Sequence, residues 1–274
     1  LLNYLNALTM LGRINELESL VNDKDVLLPK STRDFYQAHL AMIKGADRDT
    51  LKRRLSAARV SALSDGQAEM LLNLGVYCTD KLNDFYDIAL DCFRDVATTI
   101  SSVRLERRAF EGWIRCARMA GDTESLGKAS REANRRWPDD KTFIETRLYV
   151  DLLEGNGVEM ALAQSERLLE SSPTDSMRKL VNAFAYYRMG NLDSAVSALQ
   201  NIDMRADGMG PGEAVIFAAI FNAAGMQRVA GGDAGLFQKN LNVILKPVPE
   251  RARLLPEEGR LLRRVRHSMD MAAR

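Results

Sequence analysis

The segment AFAYYRMGNLDSAVSAL, residues 183–199, contains an apolar helical stretch, a glycine and the start of a second helix. Its glycine, Gly190, belongs to a series with Gly121, Gly155 and Gly225, separated by 34, 35 and 35 residues. Each glycine in the series follows an apolar helical stretch, so each is expected to end a helix. Repetition near this period is typical of stacked helical hairpins, which bury an apolar face only against their neighbours. The sequence therefore predicts an all-α fold.

The remaining chain contains further hairpins of the same kind and no segment with the alternation of a β-strand. The clearest unit begins near Thr142 and its first helix breaks at Gly155-Asn156-Gly157, where glycine allows a positive φ. Pro173 ends the second helix because proline cannot continue one. By this pattern we expect about seven hairpins over residues 1–245, clearest over residues 107–205.

Residues 246–274 are predicted to form a connector and a C-terminal helix. Pro247 and Pro249 cannot continue a helix, and a new helix is expected to begin at Pro256. Its apolar stripe favours packing on the open end of the array as a capping helix. Eight Lys and Arg against four Asp and Glu make this segment basic. We interpret the excess as a solvated helix face rather than a site for nucleic acid or lipid.

The hairpins resemble those of the tetratricopeptide repeat (TPR) family. The run from Gly190 to Val196 (GNLDSAV) is similar to the family's turn and second-helix start. Ala161 and Ala195 stand at its small-residue position, and Pro138 and Pro173 resemble its terminal proline. The resemblance implies a right-handed superhelix, or solenoid, whose first helices line a concave groove for a peptide or helix of a partner protein.

Composition and motifs argue against several other classes of protein. The net charge of +1 gives no global field for nucleic acid, and the longest apolar stretch is far shorter than the ~20 residues of a membrane span. The three cysteines and two histidines lack metal-ligand spacing, and no phosphate-binding loop, nucleophile elbow or dinucleotide fingerprint is present. We therefore expect no cofactor, no metal and no enzymatic activity.

The family resemblance also implies which residues would line the groove. Apolar and aromatic anchors rimmed by arginines would suit a segment that carries carboxylates, because guanidinium groups bind carboxylates through paired hydrogen bonds. The alternative is that the arginines form solvated helix faces and that Phe143 and Phe184 belong to the core. The groove residues so predicted are Arg108, Glu111, Arg115, Arg118, Phe143, Val150, Phe184, Tyr187 and Arg188.

The function predicted from these features is a non-catalytic protein–protein interaction scaffold that binds a partner peptide or helix in the groove. The alternative is a structural or regulatory segment of a larger protein that acts by intramolecular contact or self-association, for example as a homodimer. The chain opens at Leu1 within a helical pattern, so we expect a fragment whose parent could carry a membrane anchor. The predicted compartment is the cytoplasm.

Overall fold

The computed structural model describes residues 1–58, 64–81, 85–202, 208–228, 234–246, 248–249 and 252–272. Within these residues every regular element is an α-helix, which confirms the all-α class. Fifteen helices follow one another along the described residues. The helices are α1 (Leu2–Met10), α2 (Ile14–Asn22), α3 (Lys30–Ile43), α4 (Arg48–Ala58), α5 (Asp65–Lys81), α6 (Tyr86–Thr99), α7 (Val103–Ala120), α8 (Thr123–Arg136), α9 (Lys141–Glu154), α10 (Val158–Ser171), α11 (Ser176–Arg188), α12 (Leu192–Ala198), α13 (Pro211–Arg228), α14 (Ala234–Leu245) and α15 (Pro256–Ala272).

Glycines with positive φ follow several of these helices. Gly121 (φ 72°), Gly155 (φ 79°) and Gly190 (φ 79°) follow the first helices α7, α9 and α11, as the spacing predicts. A residue with a Cβ atom is strained in this left-handed region, so glycine is the residue that can end the helix and turn the chain.

The fourth glycine of the series does not end a helix. Gly225 lies inside α13, which continues to Arg228. A glycine costs only about 1 kcal/mol in a helix interior, and α13 buries much of its apolar side, including Val215, Ile216 and Ile220. Packing of this helix therefore outweighs the local preference of glycine for a turn.

Side-chain caps fix the starts of several helices. Asp122, Asp140, Asp175 and Asn191 precede α8, α9, α11 and α12, and each accepts a hydrogen bond from a backbone N–H in the first turn. Such caps satisfy amide groups that have no partner within the helix and contribute about 1 kcal/mol each. Local sequence therefore determines where these helices begin.

The first compact unit comprises residues Leu1–Cys116. In this unit α1 packs against α2, α2 against α3 and α3 against α4, whereas α5 packs against α6, α1 and α3. Its core includes the fully buried side chains of Leu5, Tyr36 and Phe93. The phenol of Tyr36 donates a hydrogen bond to Asn6 Oδ1 at 2.8 Å, which links α3 to α1.

The second compact unit comprises residues Ala117–Arg274. Alternate helices α9, α11 and α13 pack side by side, and successive helices also contact one another. The C-terminal helix α15 begins at Pro256, as predicted, and packs against α13, α14 and α9. The predicted connector falls between the end of α14 at Leu245 and this proline, although its Pro247 lies outside the described residues.

Candidate functional site

A cleft of about 200 Å³ lies between α5 and α7 in the first unit. Three of the residues predicted from the sequence, Arg108, Glu111 and Arg115, line it from α7. Residues of α5 form the opposite wall, and α6 contributes Phe93. The positions that complete the lining are Leu72, Val76, Thr79, Asp80 and Gly112.

The apolar part of this cleft depends on two glycines that face the ring of Phe93. A Cβ atom at Gly112 would lie 2.3 Å from Phe93 Cε1, and one at Gly75 would lie 2.9 Å from Phe93 Cζ. Both distances are shorter than carbon atoms tolerate. Phe93 can therefore lie between α5 and α7 because neither helix has a side chain at these positions.

Charged side chains surround the apolar part of the cleft. Arg115 Nη2 lies 2.9 Å from Asp80 Oδ1, and Arg108 Nη1 lies 3.7 Å from Glu69 Oε1. Glu111 accepts a hydrogen bond from Arg107 Nε at 3.0 Å. These pairs are solvent-exposed, so each contributes little to stability and can exchange partners at low cost.

Arg118, which was also predicted to line the groove, lies within a partly buried ion cluster of the second unit. It donates hydrogen bonds to Glu213 on α13, at 2.9 Å, and to Glu258 on α15. Its guanidinium lies 5.0 Å from the ring centroid of Tyr149 on α9, whose hydroxyl donates to Glu258 at 2.6 Å. The side chain of Glu258 is only 1% exposed. Arg118 therefore joins helices of its own chain.

The charge state of this cluster follows from its surroundings. Burial alone would lower the pKa of Arg118, but the hydrogen bond to the Tyr149 oxygen and the carboxylates of Glu258 and Glu213 outweigh that effect and raise it above its ordinary value. Burial raises the pKa of Tyr149 well above its usual value, although the Arg118 cation opposes the shift. Arg118 is therefore charged and the Tyr149 hydroxyl is protonated at neutral pH.

The start of α15 completes this cluster. Glu258 accepts a hydrogen bond from the backbone N–H of Leu255 at 2.9 Å, as the third residue of a helix does in a capping box. The neighbouring Glu257 accepts a hydrogen bond from Thr123 on α8. A Cβ atom at Gly212 would lie 2.3 Å from Arg118 Nη2 and 2.5 Å from Glu258 Oε1. A glycine at this position on α13 therefore leaves the room that the ion pair needs.

Arg188 also binds its own chain. Its Nε atom donates to the carbonyl of Leu152 at 2.7 Å, and its Nη2 atom donates to that of Leu153 at 2.9 Å. These carbonyls lie in the last turn of α9, where a cation is favourable. Burial lowers the pKa of Arg188, and its guanidinium lies 5.7 Å from the ring of Phe184. Arg188 therefore stabilises the contact between α11 and α9.

The predicted apolar anchors occupy the core of the second unit. Phe143, Val150 and Phe184 are each at most 1% exposed, so they present no surface to a partner. The alternative interpretation of the two phenylalanines, as core residues, agrees with this burial. Tyr187 is half-buried and its ring stacks on that of Phe184 at a centroid distance of 6.1 Å.

Three residues of the cluster around Arg118 were missed in the sequence, namely Tyr149, Glu213 and Glu258. Glu258 had one local signal, because acidic residues directly after Pro256 mark the first turn of a helix. That signal explains a cap but does not identify Arg118 as a partner. Tyr149 and Glu213 had no signal beyond their positions on helices.

Within the described part of the chain, no group of three or more His, Cys, Asp and Glu side chains could hold a metal ion. Nor does any helix there combine the length and apolar character needed to cross a membrane. No protein-family model matches this sequence, and no curated protein is significantly similar to it.

Proposed function

We propose that this chain is a non-catalytic, TPR-like helical-repeat scaffold that binds a segment of a partner protein. The cleft between α5 and α7 is the observation that carries the proposal. It is the place where three predicted groove residues, Arg108, Glu111 and Arg115, come together beside an apolar floor. The succession of paired helices supports the repeat architecture, and the solenoid itself remains part of this proposal.

The size of the cleft favours a side chain of a partner over a free metabolite. Pockets for small ligands have volumes of about 300–1,000 Å³, whereas this cleft has about 200 Å³. Val76 extends the apolar surface toward solvent, since it is 43% exposed. An apolar anchor of the partner would bury itself against Val76, in the manner of a binding hot spot surrounded by a polar rim.

The charges at the rim define the partner further. Two cations, Arg108 and Arg115, are balanced by the carboxylates of Asp80 and Glu111. This neutral arrangement does not favour the purely acidic segment that the arginines alone suggested. We expect instead an apolar anchor flanked by both acidic and basic residues, which could exchange ion pairs with the rim.

Site-specific photo-crosslinking tests the proposal. A photoreactive amino acid at Val76 should link a partner in native lysate, whereas the same group at Leu27, which is 93% exposed and outside the cleft, should not link it. The double variant Arg108→Glu/Arg115→Glu should lose the product. The matched variant Arg53→Glu/Arg94→Glu changes the charge equally at exposed positions of the same unit and should retain it.

Equal products from Val76 and Leu27 would refute a specific cleft. A product from Val76 that survives the change of both cleft arginines would refute their role in binding. Circular dichroism of each variant has to match wild type before the products are compared. This requirement separates loss of binding from loss of fold.

A second candidate, intramolecular regulation or structural support, is favoured by the position of α15. This helix packs on α9 and α13, and its Glu258 binds Arg118, which was expected to face a partner. In this function the C-terminal helix occupies part of the surface that the family resemblance assigns to a ligand. Sedimentation measurements should then find a monomer at all concentrations, whereas a stable dimer would favour self-association instead.

A further inference from the structure

A second cleft, with a volume of about 780 Å³, lies between the C-terminal part of α8, α9 and α10. We call it the basic cleft, because five cations line it: Arg131, Arg135, Lys141, Arg147 and Arg167. Only two carboxylates, those of Asp139 and Asp151, are among the lining residues. Its volume falls within the range of about 300–1,000 Å³ for small-ligand pockets.

Two of the five cations lie within hydrogen-bond distance of carboxylates. Arg131 Nη1 lies 2.8 Å from Asp151 Oδ1 and 3.1 Å from Glu154 Oε2. Arg135 lies 2.6 Å from Glu132 Oε1. Asp151 is therefore already paired, and the potential of the basic cleft is set by three cations, Lys141, Arg147 and Arg167, against the one carboxylate of Asp139.

The partners of these three cations are mainly neutral. Lys141 Nζ donates to the hydroxyl of Ser171 at 3.2 Å, and Arg147 Nη2 donates to the amide oxygen of Gln164. The Nε atom of Arg147 is buried without a hydrogen-bond partner in the described part of the chain. Its nearest carboxylate oxygen, Asp151 Oδ2, lies 4.0 Å away, which exceeds hydrogen-bond distance. Arg167 makes no ion pair with any residue that the structure describes.

A buried donor without a partner requires an explanation, because its desolvation is not offset. An oxyanion in the basic cleft would gain the attraction of the Lys141, Arg147 and Arg167 cations, which all line it. Arginine binds phosphate through paired hydrogen bonds, and lysine adds a point charge. A phosphate group carries enough charge and acceptor oxygens for all three cations, whereas a single carboxylate has only two oxygens.

The remaining lining indicates the rest of the ligand. Pro138, Ile144 and Leu168 give the basic cleft an apolar wall, and the cavity is far larger than an inorganic phosphate ion requires. We propose that the basic cleft binds a small organic phosphate, with the phosphate at Lys141, Arg147 and Arg167 and an apolar or ring portion against that wall. This site lies wholly in the second unit and is independent of the cleft between α5 and α7.

Calorimetric titration of the full chain with phenyl phosphate tests this proposal. Binding should persist at about 0.15 M salt, where exposed charges are screened beyond about 8 Å. The double variant Arg147→Gln/Arg167→Gln should weaken binding by about tenfold or more. The matched variant Arg53→Gln/Arg104→Gln removes the same charge from exposed positions outside the basic cleft and should bind as wild type does.

Two further ligands and one variant identify the chemistry. Inorganic phosphate should bind more weakly than phenyl phosphate, since it makes no contact with the apolar wall. Benzoate should also bind more weakly, because it has one charge and two oxygens. Arg147→Lys keeps the charge but loses the planar donor group, so its affinity for phenyl phosphate should lie between those of wild type and the double variant. An unchanged melting temperature would show that this variant is folded.

Three results would overturn the proposal. The first is the absence of heat with phenyl phosphate and wild-type protein. The second is an equal loss in the matched variant, which would reduce the effect to overall charge. The third is benzoate binding as tight as that of phenyl phosphate, which would assign the basic cleft to carboxylates instead.

Discussion

The substitution Glu258→Ala should destabilise the second unit by about 3 kcal/mol. The carboxylate of Glu258 is nearly inaccessible and accepts hydrogen bonds from Arg118, Tyr149 and the backbone of Leu255. Removing one partner of a buried ion pair costs about 3–5 kcal/mol, because the other charge is left uncompensated. Glu213 still pairs with Arg118 at 2.9 Å, so we expect the lower end of that range.

The chain offers a matched control and a local probe for this measurement. Glu166 also accepts a hydrogen bond from a tyrosine hydroxyl, that of Tyr186 at 2.7 Å, but it is exposed. Glu166→Ala should therefore change the stability by no more than about 0.5 kcal/mol. Of the two tryptophans, Trp113 lies in the first unit and Trp137 in the second.

Urea unfolding followed by the emission of Trp137, in a Trp113→Phe background, gives the stability of the second unit. The free energy of unfolding in water comes from linear extrapolation, and an unchanged slope would confirm that the same surface is exposed in each variant. If the free energies of unfolding of Glu258→Ala and Glu166→Ala differ by less than about 1 kcal/mol, the buried cluster does not contribute substantially to the packing of α15 on the rest of its unit.

Two glycine positions and one buried tyrosine give further predictions on packing and on pH. Gly112→Ala should lower the free energy of unfolding by about 1–3 kcal/mol, because the new methyl group overlaps Phe93. Gly259→Ala should instead raise it by about 0.4–1 kcal/mol, since the new Cβ atom would lie an ordinary 3.6 Å from Arg263 Nη1. Thermal melts should therefore show a lower melting temperature for the first variant and a higher one for the second. Burial raises the pKa of Tyr36 to about 12. The contribution of this group to the free energy of unfolding should therefore be constant below the ordinary pKa of 10 and fall as the pH rises toward 12. Denaturation measured at a series of pH values should show this fall for wild type and a weaker fall for Tyr36→Phe.

Much of the helical framework could be predicted because its signals are local. Gly155 ends α9 through a left-handed cap, and Pro256 begins α15 with a ring already set for the first helical position. Such features depend on a few neighbouring residues. Gly225 gave the same local signal, but the helix continues past it because α13 is buried as a whole. That burial depends on tertiary packing, which a local sequence pattern does not show.

The surroundings of the predicted groove arginines were less predictable, because these residues contact others that are distant in sequence. Arg115 and Arg118 lie three residues apart on α7, and the pattern gives both the same role. In the fold Arg115 meets Asp80 at the surface, whereas Arg118 meets Glu213 and Glu258, which lie 95 and 140 residues further along the chain. No helical period connects residues at such distances, so the sequence alone could not separate an exposed arginine from a buried one.

The position of α15 has a quantitative consequence for partner binding to the second unit. A ligand that takes the place of α15 around Arg118 must first break the contacts of Glu258 within the buried cluster. If these contribute about 3 kcal/mol, as the range for buried pairs indicates, the apparent affinity of such a ligand falls by a factor of about a hundred. The exposed ion pairs of Arg108 and Arg115 impose a much smaller cost. Under the proposed function, a partner protein should therefore bind first at the cleft between α5 and α7, and it should reach the surface under α15 only when Glu258 is replaced or its helix is displaced.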